Sequence, residues 1–381
     1  MDLDLRYPAL VDLRARARRR LPHFVWEYLD SATGSQSVLR VNRAALDAIR
    51  LTPRVLAGPL DPVLDTGLLG SDYTAPFGIA PVGMSGLIWP GAEAALARHA
   101  RAHGIPYALS TVATRLPEEI GPLAGPMGWF QLYPPADPAI RADILTRARN
   151  AGFGVLVLTV DVPASSRRER QRRADLAIPP KKTPRMVWQA AIRPHWALGT
   201  LRHGIPRLKL MDGYLKIDHN APSTAHAGYL LRVNPDWEYV QALRQLWDGP
   251  LVIKGVLRPE DAARAQAEGV NAVWVSNHAG RQFDGCPAVA DVLPAIRAAV
   301  PGLPLIADGG VDGGLDILRL IARGADFVML GRAWHDALAA LGPEQGPAHL
   351  HHILREDLIA NMHQLGLTRP AAVGRALPQE A

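Results

Sequence analysis

Ala272-Val273-Trp274-Val275-Ser276-Asn277-His278-Ala279-Gly280-Arg281-Gln282 changes character near its middle. An apolar run rich in β-branched and aromatic residues suits a short strand buried on both faces. Polar, small and charged residues follow at once. The same change recurs along the chain. Candidate strands are Phe77–Pro81, Tyr107–Ser110, Trp129–Leu132, Val155–Val160, Leu251–Lys254, Ala272–Ser276, Leu305–Ala307 and Phe327–Leu330. Helical periodicity lies between most of them, at Glu93–His103, Ala139–Ala151, Pro259–Glu268 and Leu315–Arg323, each stopped by a following glycine. Eight βα units are the number that closes a TIM barrel. The competing fold is a doubly wound sheet, against which the strand count and the placement of reactive residues speak.

Two stretches stand outside the eightfold pattern. About 75 residues precede the first strand, with helical periodicity around Val11–Arg20, His23–Asp30 and Ser37–Ile49. An insertion runs from about Ser165 to Asn234, after the fourth strand. The expected organisation is one domain over residues 1–381. It has a helical cover (1–75), a barrel (76–342) carrying the insertion (165–234), and a C-terminal helix and tail (343–381).

The balance of 48% hydrophobic and 20% charged residues is that of a globular chain with ample core. A single cysteine, Cys286, excludes an internal disulfide framework and a cysteine zinc site, and makes a reducing cytosol the default compartment. Met1 to Arg20 lacks the apolar run of a signal peptide, and no apolar run reaches membrane-spanning length. The formal charge of +6 is unevenly placed: between Arg167 and Lys216, thirteen basic residues face three acidic ones. Trp188, Trp196 and Tyr214 are interleaved with them. That composition suits an anionic leaflet; a solvated loop is the alternative reading, and nucleic acid is not the expected partner. Arg14 to Arg20 reads as a solvated helix face. His351 and His352 lack ligand partners at metal spacing, so no metal site is expected.

In a TIM barrel the reactive side chains sit where strands end. Those positions here are Pro81-Val82-Gly83, Ser110, Gln131 with Tyr133, Thr159 with Asp161, Lys254, Ser276-Asn277-His278 with Arg281, Asp308-Gly309-Gly310, and Gly331-Arg332. Arginine grips a carboxylate bidentately, so Arg281 and Arg168 are candidates to hold an acidic substrate. His278 is a suitable base, with Asp161 to orient it. Oxidising an alcohol carbon needs a cofactor, because no side chain accepts two electrons. Lys254 would favour the anionic reduced form of a flavin. The glycine turns after the last two strands occupy the usual barrel phosphate site, while no Rossmann or P-loop fingerprint is present.

Together these positions resemble the FMN-dependent α-hydroxy-acid dehydrogenase and oxidase family, from Leu21-Pro22 to about Gly342. Ser276-Asn277-His278-Ala279-Gly280-Arg281-Gln282 is similar to its active-site signature, with histidine as base and arginine on the carboxylate. The resemblance implies FMN, and oxidation of a small (S)-2-hydroxy acid to the 2-oxo acid. It assigns Tyr28, Tyr133, Arg168, His278 and Arg281 to the substrate, and Asp161 behind His278. To the flavin it assigns Pro81, Val82, Gly83, Ser110, Gln131, Thr159, Lys254, Ser276, Asp308, Gly309, Gly310, Gly331 and Arg332. Within the family the mandelate and flavin-type lactate dehydrogenases are most similar; Pro81-Val82-Gly83 through Leu87-Ile88-Trp89-Pro90, and Arg193-Pro194-His195-Trp196 followed by Leu201-Arg202-His203-Gly204, are similar to the mandelate branch. The mandelate branch implies a peripheral membrane position for the basic loop, on the inner face of the cell membrane, and the family implies a homotetramer. Electrons would pass to a quinone or another acceptor.

Three departures stand out: Ala279 replaces the family's glycine, Ala32-Thr33-Gly34-Ser35 replaces Gly-Ala-Glu-Asp, and Asp312 replaces an arginine in the phosphate loop. An acidic residue there would repel a phosphate, so FMN retention is expected to be weak and Asp312→Arg to tighten it. The alternatives are an oxidase using O2, an FMN enzyme of the same fold acting on an amine or peptide-derived substrate, and a membrane-associated flavoprotein with impaired chemistry.

Overall fold

All eight strands form a closed, all-parallel barrel in sequence order, with Phe327–Leu330 pairing back onto Phe77–Ile79. The structure, a computed structural model, describes residues 2–176, 183–214 and 232–378. Between the first and last strands the barrel runs through Tyr107–Ser110, Gly128–Leu132, Val155–Thr159, Leu251–Val256, Ala272–Val275 and Leu305–Ala307. Apart from Gly255 they are buried throughout, as expected where a parallel sheet is covered on both faces. The first strand stops short of Pro81, which has no N–H to give a neighbour. The fifth runs on to Val256 through a register shift at Gly255, whose φ is +109°. A Cβ at Gly255 would lie 2.5 Å from Asp161 Cβ, so this glycine lets the fourth and fifth strand ends approach.

The barrel foot is closed by a hairpin absent from the sequence reading, Thr66–Leu68 paired with Ser71–Tyr73. Leu68 and Tyr73 pack among Trp129, Trp274 and Phe327, and Trp129 Nε1 donates to the Tyr73 hydroxyl at 3.1 Å. Strands of three residues offer too little alternation to be seen in sequence.

The N-terminal cover comprises the helices Leu10–Arg20, His23–Asp30 and Ser37–Ala48 after a short turn at Leu3–Arg6. Leu10, Leu13 and Ala17 form the buried stripe of the first, at i, i+3 and i+7. Burying each leucine contributes about 1.5–3 kcal/mol. This helix lies on Arg332–Leu341, which follows the last strand, and so reaches the barrel mouth. The described part of the insertion holds Glu169–Arg173, Pro184–Ala191, Pro194–His203 and Lys209–Asp212, and Gln345–Leu365 closes the chain's outer layer.

Candidate active site

The mouth of the barrel holds a cavity of about 370 Å³, within the range of small-ligand sites. His278 enters it from the turn after the sixth strand. His278 Nδ1 lies 3.1 and 3.2 Å from the two Asp161 oxygens. A carboxylate only accepts, so Nδ1 carries the proton and Nε2 keeps its lone pair. Burial pushes the imidazole below its ordinary value, with Lys254 and Arg168 adding to that and Asp161 opposing it. Burial would raise the Asp161 carboxyl, but His278 and Lys254 outweigh it and hold it low. The pair therefore rests as a neutral imidazole against an ionised carboxylate. Asp161 pairs with His278 and not with an arginine of the insertion.

Lys254 is buried beneath the same cavity. Its ammonium donates to Ser276 Oγ at 2.8 Å and lies 3.1 Å from Asp308, which holds it charged against the opposing effect of burial. Ser276 Oγ in turn donates to Asp308 at 2.7 Å and accepts from the His278 amide at 3.1 Å. The lysine and the base are thus positioned by one serine. Ser110, Gln131 and Thr159 form a second buried chain across adjacent strand ends, with links of 2.7 and 2.9 Å. These three and Ser276 lie behind the cavity wall; Pro81, Val82, Gly83, Lys254, Asp308, Gly309, Gly310, Gly331 and Arg332 line it.

Arg281 and Arg168 both face the cavity. Arg281 donates to the carbonyls of Tyr28 and Ser31 at 2.9 and 3.1 Å, and Arg168 Nε to Ser166 Oγ at 3.0 Å. Neither pairs with a carboxylate among the described residues. Burial, with Arg168 and Arg332 nearby, pushes Arg281 down to about 9, so at neutral pH it is still a cation. Tyr28 donates to the Gly83 carbonyl at 2.9 Å, and Arg232 stacks on the Tyr133 ring at 3.4 Å. The cationic end of the cavity is where an anionic substrate fits.

At the other end Gly309 and Gly310 adopt φ of +96° and +79°, a left-handed turn that glycine takes without strain. Arg332 begins the helix after Gly331 and donates to the Asp30 carbonyl at 3.0 Å. Asp312, expected to repel a phosphate, is met by two cations: its carboxylate is 2.9 Å from Arg14 Nη2 and 3.8 Å from Arg43 Nη1. An arginine at 312 would meet those two cations instead. Arg14 therefore does not belong to a solvated helix face, and neither do Arg16 and Arg20, which donate to the Ala340 carbonyl at 2.7 and 3.0 Å. Arg14, Arg43 and Asp336 line the cavity and were not anticipated. The signal for Arg14 and Arg43 was their helical spacing from the buried stripes, which says nothing of what a neighbouring helix brings.

The altered loop at Ala32–Ser35 ties the cover to the site. The Thr33 amide donates to the Gly280 carbonyl at 3.0 Å and the Gly34 amide to Glu169 at 2.9 Å. Of the aromatics expected on the insertion surface, only Trp188 is exposed. Trp196 is buried with Nε1 on the Leu87 carbonyl at 3.0 Å, and Tyr214 meets Arg147 and Asp143. Lys181, Lys182 and Lys216 lie outside the described residues.

A barrel whose mouth joins a glycine turn and a basic end to a half-buried histidine–carboxylate pair is that of a cofactor-dependent enzyme acting on an anion. The chain belongs to the FMN-dependent dehydrogenase family, whose model matches residues 17–379. It is 38% identical over 373 residues to an L-lactate dehydrogenase of Stenotrophomonas maltophilia (strain R551-3), covering 96% of this chain and 97% of that one. It is 39% identical over 365 residues to an L-lactate dehydrogenase of Pectobacterium atrosepticum, covering 94% and 93%. Among solved structures it superposes on the monotopic membrane protein (S)-mandelate dehydrogenase with a TM-score of 0.90, at 32% identity over 98% of this chain and 99% of that one. A mandelate oxidase superposes with a TM-score of 0.83 at 33% identity, covering 98% of each.

The chain is thus an FMN flavoprotein and an oxidoreductase. Its cavity fits the cofactor by its chemistry: a buried ammonium on the wall, a glycine turn with left-handed backbone, and Arg332 with Arg14 at the glycine-turn end. Among the described residues no helix is long and apolar enough to cross a membrane.

Proposed function

We propose that this chain oxidises a small (S)-2-hydroxy acid, lactate- or mandelate-like, to the 2-oxo acid. The observation that carries the reading is the pair Arg281 and Arg168, cations without a carboxylate partner among the described residues, beside a neutral His278. In this reading their guanidiniums hold the substrate carboxylate, with Tyr28 and Tyr133 at the same end of the cavity. His278 Nε2 takes the C2 hydroxyl proton, and Asp161 stabilises the imidazolium that forms. FMN supplies the two-electron acceptor that no side chain offers. Lys254, with Asp308 and Ser276, places a fixed positive charge on the cavity wall; Pro81–Gly83 line the face between the two ends, supported from behind by the buried chain Ser110–Gln131–Thr159. Gly309, Gly310, Gly331 and Arg332 would hold the cofactor's phosphate.

Anaerobic addition of (S)-mandelate or L-lactate to the purified flavoprotein tests this. Bleaching of the flavin band is expected with one or both acids; a bound flavin that no hydroxy acid bleaches overturns the reading. The acceptor proposed is a quinone or another electron carrier, with hydrogen peroxide release in air as the mark of the oxidase alternative.

The surface of the insertion supports a peripheral membrane position. Val187, Trp188, Leu198, Leu201 and Ile205 are exposed apolar residues on a segment rich in arginine, and a similar solved protein is described as monotopic. Co-sedimentation with anionic vesicles, lost in Trp188→Ser and Leu201→Ser, is the expected result. A homo-oligomer, proposed as a tetramer, is read by light scattering.

A further inference from the structure

We propose that Asp336 sets how firmly this chain retains its cofactor: the phosphate end of FMN is accepted when Asp336 carries a proton and Arg14 is released onto the anion. The proposal rests on the placement of the phosphate beside Gly309–Gly310 and Gly331–Arg332.

Asp336 sits one turn into the helix Arg332–Leu341 and lines the cavity at that end. Its side chain is 3% exposed. One carboxylate oxygen is 3.4 Å from Arg14 Nε; the other, Oδ1, is buried with no hydrogen-bond partner. A buried carboxylate oxygen without a donor is costly. Protonated, it becomes an open donor in a cavity shaped for an anion.

Burial leads to the same state, with Asp30 adding to it and the two arginines that face the carboxyl opposing it. From its own helix Arg332 faces it, from Leu10–Arg20 Arg14, from the end of His23–Asp30 Asp30, and from the glycine turn Asp312 through the shared Arg14. His335 is turned away, onto Ser85 Oγ and the Gly331 carbonyl, and burial keeps it neutral. Arg14 thus bridges Asp312 and Asp336, while Arg43 is chiefly engaged by Asp316 and Asp47. Nearly two negative charges of a phosphate arriving here meet two carboxylates that already share Arg14, with Arg332 as the other cation facing the site. Discharging Asp336 is the small rearrangement that removes the excess, and it frees Arg14 Nε for the anion. Burial has already pushed the Asp336 carboxyl up to about 7 against the pull of Arg14 and Arg332, so the proton is available near neutral pH.

The sign follows directly. If phosphate is accepted only by protonated Asp336, retention is full below its titration and weakens as pH rises through it, by roughly 10-fold for each pH unit beyond. The experiment dilutes holoenzyme at pH 6, 7 and 8 and follows released flavin by fluorescence. The FMN dissociation constant is expected to rise about 10-fold between pH 6 and pH 8 in the native chain. Asp336→Asn, of equal size and permanently neutral, should match it at pH 6 and hold FMN about 10-fold more tightly at pH 8. In Arg14→Gln, which removes the group lowering Asp336, FMN binds more weakly throughout and the pH of release moves up. Riboflavin, without the phosphate, should show none of these effects. An Asp336→Asn constant that tracks the native one at every pH, or an Arg14→Gln release unmoved along the pH axis, overturns the proposal. Arg332→Gln separates the two layers. If it loosens FMN but not riboflavin while Asp336→Asn tracks the native chain, only the role of Asp336 falls; if it retains FMN unchanged, the phosphate placement falls.

Discussion

Desolvation lowers histidines at the barrel mouth and on its outside, and the two sites behave differently. His278 stands at the barrel mouth with Asp161 on Nδ1. His99, His103 and His351 stack on the barrel's outside, where Ala92–His103 meets Gln345–Leu365, with ring centroids 4.3 and 4.7 Å apart. Burial lowers all four. In the outer cluster nothing opposes it: His99 Nε2 meets His351 Nδ1 at 3.3 Å, Phe77 and Trp334 cover them, and both imidazoles fall to about 3. At the mouth a carboxylate opposes the fall, fixes the tautomer and aims the free nitrogen into a cavity. Desolvation alone makes a neutral histidine; a carboxylate on one side makes it a directed base.

The largest test of this contrast removes the base. His278→Asn is expected to lower kcat with the preferred hydroxy acid by about 10^4-fold, near the top of what general base catalysis contributes, with little change in thermal stability. His351→Phe should leave kcat at pH 7.5 unchanged. Equal losses from both would erase the distinction.

Asp161→Asn should cost about 10²- to 10³-fold in kcat/KM and move its acid limb. The neutral imidazole is the active form, so kcat/KM is level above the His278 titration and falls as pH drops through it. Asp161 is what holds that titration up. Without it the limb moves to lower pH, and a pH profile that keeps its shape would show that Asp161 acts only by packing.

The outer cluster should reveal itself in stability. His99 and His351 stay neutral in the folded chain down to about 3, whereas in the unfolded chain histidines take up protons below about 6.5. Their stabilising contribution is complete above 6.5 and declines as pH falls toward 3. In thermal or urea unfolding at pH 7.5 and pH 5, His351→Phe is expected to shrink the difference by about 1–2 kcal/mol.

The smallest effect concerns backbone at the mouth. His278 and Ala279 adopt φ of +52° and +48°, left-handed conformations that L-residues adopt at a cost. Ala279→Gly should stabilise the chain by about 0.5–1 kcal/mol, read as a higher urea midpoint. No gain would place the strain elsewhere in the turn.

The barrel strands were legible within one or two residues because each is a compact apolar run punctuated by polar strand ends. His278, Arg281, Lys254 and the glycine turns were legible for the same reason, since strand ends in this fold converge. The three-residue strands of the foot hairpin were not, because their burial comes from packing under the barrel. Nor was the cavity wall beside the glycine turn: Arg14 and Asp336 lie 322 positions apart.

What the sequence by itself determined is what depends on local periodicity and short spacing: eight βα units, their glycine stops, and which reactive groups end each strand. Only the tertiary structure decided which charges meet. It set Arg14 against Asp312 and Asp336, gave Asp161 to His278 and left Arg281 and Arg168 without a carboxylate partner among the described residues. Electrostatic energy depends on distance and on burial, and neither can be read along a chain whose partners are brought together by folding.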